Sequence, residues 1–474
     1  MVAQKITIEP VTRIEGHAKI TIRMNDQGKV DHAYLHINEF RGFEKFCEGR
    51  MVFEMPLITP RICGICPVSH HLASAKAGDE VLGCPPPRPA SLLRELMHMG
   101  QIIQSHGMHF FELAGPDLLL GWDADPATRN VVGLLQANPE LTLKAVQLRK
   151  FGQEIIHTVG GRRIHPNFAV PGGVNKALKA EDRQAILAGL DEAIATTQLG
   201  IQIMKDWASK NMEDINKFAV LKSGYLGLVT PDNGLELYDG QVRLVDQAGK
   251  QLEKFDGRDY LDYIAEHVES WSYLKFPYYK KMGYPQGVYR VGPLGRLNAV
   301  DKISTPLANA EFKIFKSLNG GAPVEATLYY HYARLIECLF AAERVRTLLD
   351  DPDLLSTDIL NTRHNFKGVG VGVIEAPRGT LWHHYWAKEN GQLERVNLIV
   401  ATGNNNWAMC EAVDNVAKTY VKGPQVTEGM LNRVEAAVRA HDPCLSCSTH
   451  AVGQMPMEIE ILDPEGNLIQ KIVR

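Results

Sequence analysis

Apolar and polar residues alternate along the first part of the chain. The segments KITIEPV, GHAKITIRM and KVDHAYLHINEF place apolar side chains at about every second position, and the turn Asn25-Asp26-Gln27-Gly28 separates the last two. A period of two is typical of β-strands with one buried face. The pattern therefore predicts an N-terminal β region over about residues 1–60.

Farther along, the apolar residues mostly recur at i, i+3 and i+4, the spacing of amphipathic helices. Strands and turns interrupt this spacing in a β excursion at about 216–257, and a second strand-like stretch covers 366–402. The predicted helices cover roughly 68–80, 90–114, 139–160, 180–212, 259–272, 303–318, 323–350, 405–421 and 427–440. Near the C-terminus, MEIEILDPEGNLIQKI alternates on both sides of a turn, which predicts a hairpin. These elements indicate an α+β fold, with a mainly helical core and flanking β-hairpins and small sheets.

Composition narrows the class of protein. The 474 residues carry a net charge of −4 and are 45% hydrophobic, as in ordinary globular proteins. This charge gives no reason to expect a nucleic-acid partner, and no apolar run reaches the length of a membrane span. The N-terminus lacks the apolar stretch of a signal peptide, so we expect a cytoplasmic protein, although a subunit exported with a signal-bearing partner would also lack one.

Eight cysteines are too few for a disulfide scaffold, but four of them form two Cys-x-x-Cys pairs. Cys63/Cys66 and Cys444/Cys447 are 381 positions apart. Thiolates are soft ligands that suit zinc, iron–sulfur clusters or nickel. The separation excludes a compact zinc module, whose pairs lie ~15–20 residues apart. Spacing alone leaves open a shared metal site, thioredoxin-like redox chemistry and two unrelated pairs; a shared metal would favour one interwoven domain, because the two ends of the chain would meet in the core.

Charged and imidazole side chains accompany these pairs. His70 follows the first pair and His450 follows the second, while Glu15, Glu44 and Arg378 stand in short motifs elsewhere. Single residues of these types are usually surface charges or satisfied core groups. The combination of Arg-x-Cys-Gly-x-Cys-x3-His with Asp-Pro-Cys-x2-Cys-x2-His is much more specific.

Two other features carry no chemistry of their own. Cys47, Cys84, Cys338 and Cys410 stand alone, and we expect them to pack in the interior. The run Gly368-Val-Gly-Val-Gly372 lacks the spacing and the following helix of a dinucleotide-binding loop, so we expect this chain to bind no nucleotide.

Five motifs in one order carry a resemblance to a known family. They are Thr12-Arg-Ile-Glu-Gly-His17, Arg41-Gly-Phe-Glu44, Arg61-Ile-Cys-Gly-Ile-Cys-Pro-Val-Ser-His70, Ala376-Pro-Arg-Gly379 and Asp442-Pro-Cys-Leu-Ser-Cys-Ser-Thr-His450. Together they resemble the large, catalytic subunit of [NiFe] hydrogenases, over essentially the whole chain. The stretches WDADPATRNV, WSYLKFPYYK, GYPQGVYRVGPLGRLN and YYHYARL are similar to the bidirectional, NAD-reducing subgroup. The resemblance implies the [NiFe]-hydrogenase large-subunit fold and the reversible conversion of H2 into two protons and two electrons.

By this resemblance, Cys63 and Cys444 would be terminal nickel ligands. Cys66 and Cys447 would bridge nickel to an iron that carries one CO and two cyanides. Glu15 matches the family's proton-relay carboxylate.

The resemblance also assigns roles around the metals. Arg378 matches an arginine beside the diatomic ligands, Asp442 would hold its guanidinium, and His70 would donate to a thiolate. Glu44 and His450 match ligands of a second metal ion, Mg2+ or Fe2+. The sequence departs from many members at Ser105, where they carry an aspartate, so Asp442 is expected to carry more of the arrangement above the metals.

Maturation and partners follow from the same resemblance. Residues 1–450 would form a single interwoven catalytic domain, and 451–474 would be an extension that a maturation endopeptidase removes after nickel-insertion chaperones have loaded the metal. The alternative is a permanent edge hairpin. An iron–sulfur small subunit would take the electrons and pass them to NAD(P)+ on flavin- and iron–sulfur-containing diaphorase subunits. Other hypotheses are a hydrogen sensor, a member with another acceptor (F420-type or heterodisulfide-linked), a structural zinc protein, and the related complex I subunit, which lacks the four cysteines.

Overall fold

The computed structural model describes residues 5–423 and 426–449, together with two strands at 458–462 and 468–473. The helices are α1 (Phe43–Cys47), α2 (Met55–Ile58), α3 (Pro67–Leu82), α4 (Arg88–Met108), α5 (Val131–Ala137), α6 (Pro139–Gly160), α7 (Ala180–Lys210), α8 (Met212–Lys217), α9 (Tyr260–Tyr263), α10 (Gly292–Ala299), α11 (Pro306–Ser317), α12 (Tyr330–Asp350), α13 (Asn406–Tyr420), α14 (Glu428–Ala440) and α15 (Leu445–Ser448). The strands are β1 (Lys5–Ile8), β2 (Lys19–Met24), β3 (Val30–His36), β4 (Ala169–Val170), β5 (Gly173–Val174), β6 (Gly224–Val229), β7 (Gln241–Val245), β8 (Gln251–Asp256), β9 (Ile264–His267), β10 (Phe276–Tyr279), β11 (Tyr289–Arg290), β12 (Val369–Ala376), β13 (Gly379–Ala387), β14 (Leu393–Ile399), β15 (Glu458–Leu462) and β16 (Leu468–Val473).

The strands form small sheets, as the alternating segments predict. β1, β2 and β3 make an antiparallel meander in which Ile20 lies opposite both Ile8 and Leu35. β6, β7 and β8 form the expected β excursion, which β11 extends in parallel beside β6. β15 and β16 pair as the expected C-terminal hairpin. The N-terminal strands end at His36, and the short helices α1 and α2 occupy part of the remainder of the predicted β region.

The helical part is built around α4, α6, α7 and α12, which pack against one another. α12 is buried on almost every side, from Tyr330 to Glu343, as expected of a helix in the middle of a core. The largest hydrophobic cluster joins residues from Ile8 to Cys447 and includes both cysteine pairs. None of the helices in the described ranges is long and apolar enough to cross a membrane.

α4 does not stop at Met108 but continues with π-type hydrogen bonding over His109–Ala114 and Pro116–Leu120. π segments inside helices are rare and frequent at functional sites. His109 and Asp117 are both buried here.

The predicted strand-like stretch 366–402 is confirmed as the meander β12-β13-β14, which lies against α3. The glycine run belongs to β12, and its function is steric. A Cβ on Gly372 would lie only 1.9 Å from the carbonyl oxygen of Ala73 in α3. Glycine therefore lets this strand approach the helix that follows the first cysteine pair.

Two predicted helices are wrong in extent. The segment 259–272 contains only the short α9, because Ile264–His267 pairs with Phe276–Tyr279 as β9 and β10. The helix expected at 323–350 begins at Tyr330, since Val324 and Glu325 bond to distant partners instead of extending it. α10 was not predicted. In the first two cases a contact outside the segment overrides its local pattern.

The N-terminal and C-terminal motifs lie side by side. The Leu445 amide donates a 3.1 Å hydrogen bond to the Glu15 carbonyl, and Glu15 pairs with Cys444 as an isolated parallel bridge. Gly16 has a φ of 82°, and a Cβ there would lie 2.8 Å from Leu445 Cβ. This contact therefore requires glycine for both its backbone conformation and its space.

Asp117 ties these two ends of the chain together. Its carboxylate accepts hydrogen bonds from Arg13 Nη2 (2.5 Å), Asn432 Nδ2 (3.0 Å) and Arg439 Nη1. Arg439 also donates to the Thr12 carbonyl at 3.1 Å. Burial alone would raise the pKa of Asp117, but the charges of Arg439 and Arg13 outweigh it and lower that pKa below 3.8. The ionised carboxylate thus links the first motif to α14.

We expect Asp117→Asn to destabilise the protein by roughly 3–5 kcal/mol, because it leaves two buried guanidinium groups without their counter-charge. Chemical denaturation measures the loss. Since the pKa of Asp117 is lowered on folding, its contribution is full above about pH 4 and is lost as the pH falls through the folded pKa.

Asp191→Asn is the matched control. Asp191 is 88% exposed and paired with Arg346, so the same chemical change should cost at most about 1 kcal/mol. Equal losses in the two variants would contradict the role of Asp117.

Candidate metal centre

Each cysteine pair lies where a loop enters a helix. Cys63 follows a 3-10 turn and Cys66 immediately precedes α3, while Cys444 immediately precedes α15 and Cys447 lies within it. The first turn of a helix has amide groups without helical partners, which favours negative charge. In the loop before α3, Ile65 N also donates a hydrogen bond to Cys63 Sγ at 3.1 Å.

The four sulfurs converge on one point in the interior. The Sγ–Sγ distances are 3.1 Å for Cys63–Cys444, 3.4 Å for Cys66–Cys447, 2.6 Å for Cys444–Cys447 and 4.0 Å for Cys66–Cys444. Within the described part of the chain, these four residues form the group that could hold a metal ion, and all their sulfurs lie within 4.8 Å of one another. The fold thus brings together the two pairs that are far apart in sequence.

The protonation state of the four cysteines determines which ion the cluster can bind. Burial raises the pKa of Cys444 and of Cys447 well above the ordinary thiol value. At Cys63 the upward effect of burial is outweighed by the neighbouring thiols and by Arg378, so its pKa is lowered. Several thiolates this close together in a dry interior need a cation to balance their charge. The donor set therefore fits a soft metal held by sulfur.

Arg378 lies beside the sulfurs, in the turn between β12 and β13. Its Nη2 donates a 2.8 Å hydrogen bond to Asp442 Oδ1, and its Nη1 donates to Ser105 Oγ at 3.3 Å. Burial lowers the pKa of Arg378, but Asp442 and the cysteines outweigh burial and raise it. The side chains thus form the expected pair, and Ser105 supplies a second acceptor. Asp442 has a φ of 54°, a conformation that aspartate tolerates better than most residues.

A small cavity touches the sulfur cluster. Its free volume is about 10 Å3, room for about one water-sized sphere. The lining combines apolar and polar groups: Ala376, Leu381, Val400, Ala401, Thr402, His70, Arg378, Cys66, Cys444 and Cys447. A diatomic group bound beside Cys66 and Cys447 would thus meet an apolar wall and one guanidinium.

Glu15 lies next to the second pair. Its Oε2 accepts a 3.1 Å hydrogen bond from the Ser446 amide, and the side chain is half-buried. The backbone contact between Glu15 and the Cys444–Leu445 segment fixes this position. The carboxylate therefore lies between the cysteine cluster and solvent.

His70 lines the cavity from α3 and belongs to a buried hydrogen-bonded chain. Its Nδ1 lies 3.1 Å from His383 Nε2, His383 Nδ1 lies 2.7 Å from the Tyr385 hydroxyl, and that hydroxyl lies 3.0 Å from Ser74 Oγ. This chain fixes the orientation of the His70 ring. It runs away from the sulfurs between β13 and α3.

Glu44 lies on α1, and its Oε1 accepts a 2.6 Å hydrogen bond from the Leu398 amide. Burial raises the pKa of Glu44 to about 7. The Arg41 amide donates to the Thr449 carbonyl at 2.9 Å, so the last motif ends beside the Arg41–Glu44 segment. His450, the predicted partner of Glu44, lies outside the described residues.

Sequence reasoning missed two polar residues of the site, His383 and Thr402. Thr402 Oγ1 accepts a 3.0 Å hydrogen bond from the Cys444 amide, and His383 bonds His70. Neither belongs to a recognisable motif. The alternation of β13 was the available signal for His383, because it puts this residue and Tyr385 on one face of the strand.

The solitary cysteines follow the expectation for interior packing with one exception. Cys47, Cys84 and Cys338 are buried, whereas Cys410 keeps part of its surface exposed to solvent. Burial raises the pKa of Cys47 to about 12, so this thiol stays protonated and unreactive.

Comparison with known protein families and relatives identifies the chain. Residues 5–40 match a family described as HoxL-like, and residues 41–132 and 237–450 match the nickel-dependent hydrogenases. The chain is 44% identical over 487 residues to the NAD-reducing hydrogenase HoxS subunit beta of Cupriavidus necator, with 100% of both chains covered. It is also 44% identical over 480 residues to a subunit of the F420-non-reducing hydrogenase of Methanothermobacter thermautotrophicus, covering 99% of this chain and 100% of the relative.

Solved structures agree with this assignment. A crystal structure of an NAD+-reducing nickel–iron hydrogenase in the H2-reduced state superposes with a TM-score of 0.92 at 45% identity, covering 94% of this chain and 99% of that chain. A nickel–iron–selenium hydrogenase of D. vulgaris Hildenborough superposes with a TM-score of 0.77 at 24% identity, covering 94% of this chain and 100% of that chain, and shares the fold. The predicted α+β large-subunit fold is confirmed, and the chain belongs to the nickel-dependent hydrogenase family as a large, catalytic subunit.

Proposed function

We propose that this chain catalyses the reversible conversion of H2 into two protons and two electrons at a nickel–iron centre held by Cys63, Cys66, Cys444 and Cys447. The convergence of these four buried sulfurs carries the proposal. Cys63 and Cys444 would hold the nickel as terminal ligands, and Cys66 and Cys447 would hold both the nickel and an iron that carries one CO and two cyanides. The small cavity beside Cys66, Cys444 and Cys447 supports a centre with small ligands, because both proposed bridging sulfurs line it and Cys63 does not.

When bound, this centre supplies the Lewis acid and the electron acceptor that the cleavage of H2 requires. The side chains around it bind, orient and move protons. Arg378 directs its guanidinium toward the diatomic ligands, and Asp442 holds it through the 2.8 Å hydrogen bond. His70 is held by His383 and would donate from Nε2 to a sulfur, which lowers the basicity of that sulfur; this role requires His70 Nδ1 to accept from His383 Nε2.

Glu15 takes the proton that leaves a cysteine sulfur. Its position beside Cys444 and its half-buried side chain support this role, because a relay group must reach both the centre and solvent.

Glu44 and His450 bind a second, hard metal ion, Mg2+ or Fe2+. The half-buried carboxyl of Glu44 supports this, because its pKa is raised to about 7 and a nearby cation would stabilise its ionised form. The hydrogen bond from Arg41 to Thr449 brings the last motif into reach of Glu44.

Residues 1–450 act as one interwoven catalytic domain, and residues 451–474 are an extension that a maturation endopeptidase removes after chaperones have delivered nickel. The contacts of both chain ends with the cysteine cluster support this, because the second pair reaches its position only when the C-terminal motif folds inward.

We expect intact mass spectrometry of the active enzyme to show that its chain ends at His450. Full-length chain with full activity would contradict the proposal.

Electrons leave through an iron–sulfur small subunit to diaphorase subunits that reduce NAD(P)+. The relative from Cupriavidus necator and the NAD+-reducing crystal structure support this acceptor. The equally similar F420-non-reducing relative makes another acceptor the second candidate. H2-dependent NAD+ reduction by the purified complex distinguishes them: a complex that reduces an artificial dye but neither NAD+ nor NADP+ would favour the second.

We expect the nickel content of the purified Cys444→Ser variant to fall at least about 10-fold, because serine replaces a soft thiolate by a poor oxygen ligand. Elemental analysis of the purified protein measures nickel and iron, and infrared spectroscopy of the wild-type protein should show CO and cyanide bands. Cys338→Ser, at a buried cysteine away from the cluster, is the control and should retain both metals. Zinc alone in the wild-type protein would contradict the proposal.

We expect Glu15→Gln to retain nickel and iron but to slow exchange of H2 with deuterated water by about 10^2–10^4-fold, since an amide cannot relay a proton. Glu39→Gln is the matched control, because Glu39 is 52% exposed and pairs with His17 on the surface. An exchange rate in Glu15→Gln equal to that of the control would remove Glu15 from the relay.

A further inference from the structure

Beside the Arg378–Asp442 pair lies a group of buried polar atoms that make no hydrogen bond within the described chain. They are Asp442 Oδ2, Arg378 Nε, Arg334 Nε, His109 Nδ1, His331 Nδ1 and His441 Nε2. Buried polar atoms are nearly always paired with protein or with ordered water. Several unpaired atoms in one region therefore indicate that something else satisfies them.

These atoms come from elements that meet behind the metal centre. Arg334 and His331 lie in the first turns of α12, His441 and Asp442 follow α14, and His109 lies in the π segment after α4. The ring of His109 stacks on that of His331 at 5.6 Å. Arg334 Nη2 donates to the Ala440 carbonyl at 3.4 Å, which joins α12 to the end of α14.

Arg334 and His109 lie close to the Asp442 carboxylate but do not hydrogen-bond to it. Arg334 Nε lies 3.8 Å from Asp442 Oδ2, and His109 Nε2 lies 3.9 Å from Asp442 Oδ1. Both separations exceed a hydrogen bond. One water that bonds to both groups can bridge Arg334 Nε and Asp442 Oδ2, whereas His109 Nε2 already bonds to the Arg439 carbonyl. The guanidinium of Arg334 is fully buried, so leaving its Nε unsatisfied would carry a substantial desolvation cost.

The hydrogen-bonding character of the unpaired atoms favours water. His109 Nε2 and His441 Nδ1 face the carbonyl oxygens of Arg439 and Ala437 and must donate to them. The other ring nitrogen of each is then an acceptor when the ring is neutral. Burial lowers the pKa of His441 to about 3, and burial followed by the charge of Arg334 lowers that of His109, so both rings are neutral at neutral pH.

The group thus contains donors and acceptors that do not match one another. Arg334 Nε and Arg378 Nε can only donate, while Asp442 Oδ2 and the free nitrogens of His109 and His441 can only accept. Water both donates and accepts, so it satisfies all of them, whereas an ion of either sign would satisfy only one set. Burial lowers the pKa of Arg334 to about 10, so its charge persists at neutral pH.

We propose that ordered waters bridge Arg334, Asp442 and the surrounding histidines, and that Arg334 acts through them as a positioning residue for Asp442 and hence for Arg378. The second carboxylate oxygen of Asp442 is held by Arg334 through water while the first oxygen accepts from Arg378. The orientation of Arg378 toward the metal ligands then depends on a residue that does not touch them. This inference rests on the proposed nickel–iron centre.

A high-resolution crystal structure of the complete hydrogenase complex is the first test. We expect at least one ordered water within about 3.2 Å of both Arg334 Nε and Asp442 Oδ2, and another at the free nitrogen of His441 or His109. A direct Arg334–Asp442 hydrogen bond, or no water there, would overturn the proposal.

Infrared spectroscopy of the complex is the second test. Arg334→Met should retain nickel and iron but shift the cyanide bands, because Asp442 and Arg378 reorient, and Arg334→Lys should restore part of the shift. His331→Phe replaces the imidazole, including its unpaired Nδ1, by an apolar ring at lower risk to folding, and it should give a smaller shift. His384→Phe is the control, because His384 Nε2 is also buried and unpaired within the described chain, yet it packs beside Trp386 on β13.

The outcomes separate the two hypotheses. Wild-type complex without CO and cyanide bands would refute the proposed centre. Bands that are present but do not move in Arg334→Met or His331→Phe, or that move equally in His384→Phe, would refute the positioning role of Arg334 alone.

Discussion

Four cysteine sulfurs from opposite ends of the chain must share one dry pocket, and most of the fold can be understood from this constraint. Thiolates in an interior repel one another and lose their hydration, so they need a cation and a rigid frame. The frame is made of backbone contacts: the Glu15–Leu445 hydrogen bond joins the first motif to the last, and Gly16 supplies the space for it. Every other group at the site is placed relative to that junction.

Buried ion pairs fix the relative positions of the two ends of the chain, which apolar contacts alone would not specify. Asp117 joins Arg13 of the first motif to Arg439 of α14. Buried ion pairs contribute little to the net free energy of unfolding, but removal of one partner is costly. Such networks therefore specify which segments pack together more than they increase stability. The neighbouring Asp442–Arg378 pair has the same character at the metal centre.

The meander β12-β13-β14 connects this frame to the chemistry. The turn between β12 and β13 carries Arg378. β13 carries His383, which hydrogen-bonds to His70 in α3 and fixes its ring. The glycines of β12 let the sheet approach α3 closely enough for both contacts. The glycines of β12 thus allow the meander to pack closely on α3, and this packing places Arg378 and His383 near the site.

The sequence by itself determined the family and the α+β class, and it singled out the four cysteines that the fold brings together, because soft-ligand motifs and periodic apolar patterns are local signals. It also identified Arg378 and Asp442, whose side chains the fold joins. It could not determine that 264–267 forms a strand rather than a helix, because that strand depends on pairing with 276–279, which lies outside the helical pattern. Nor could it identify His383, Thr402 or the histidines around Arg334. Their roles arise from orientation and burial against segments hundreds of positions away, and only the tertiary structure sets those.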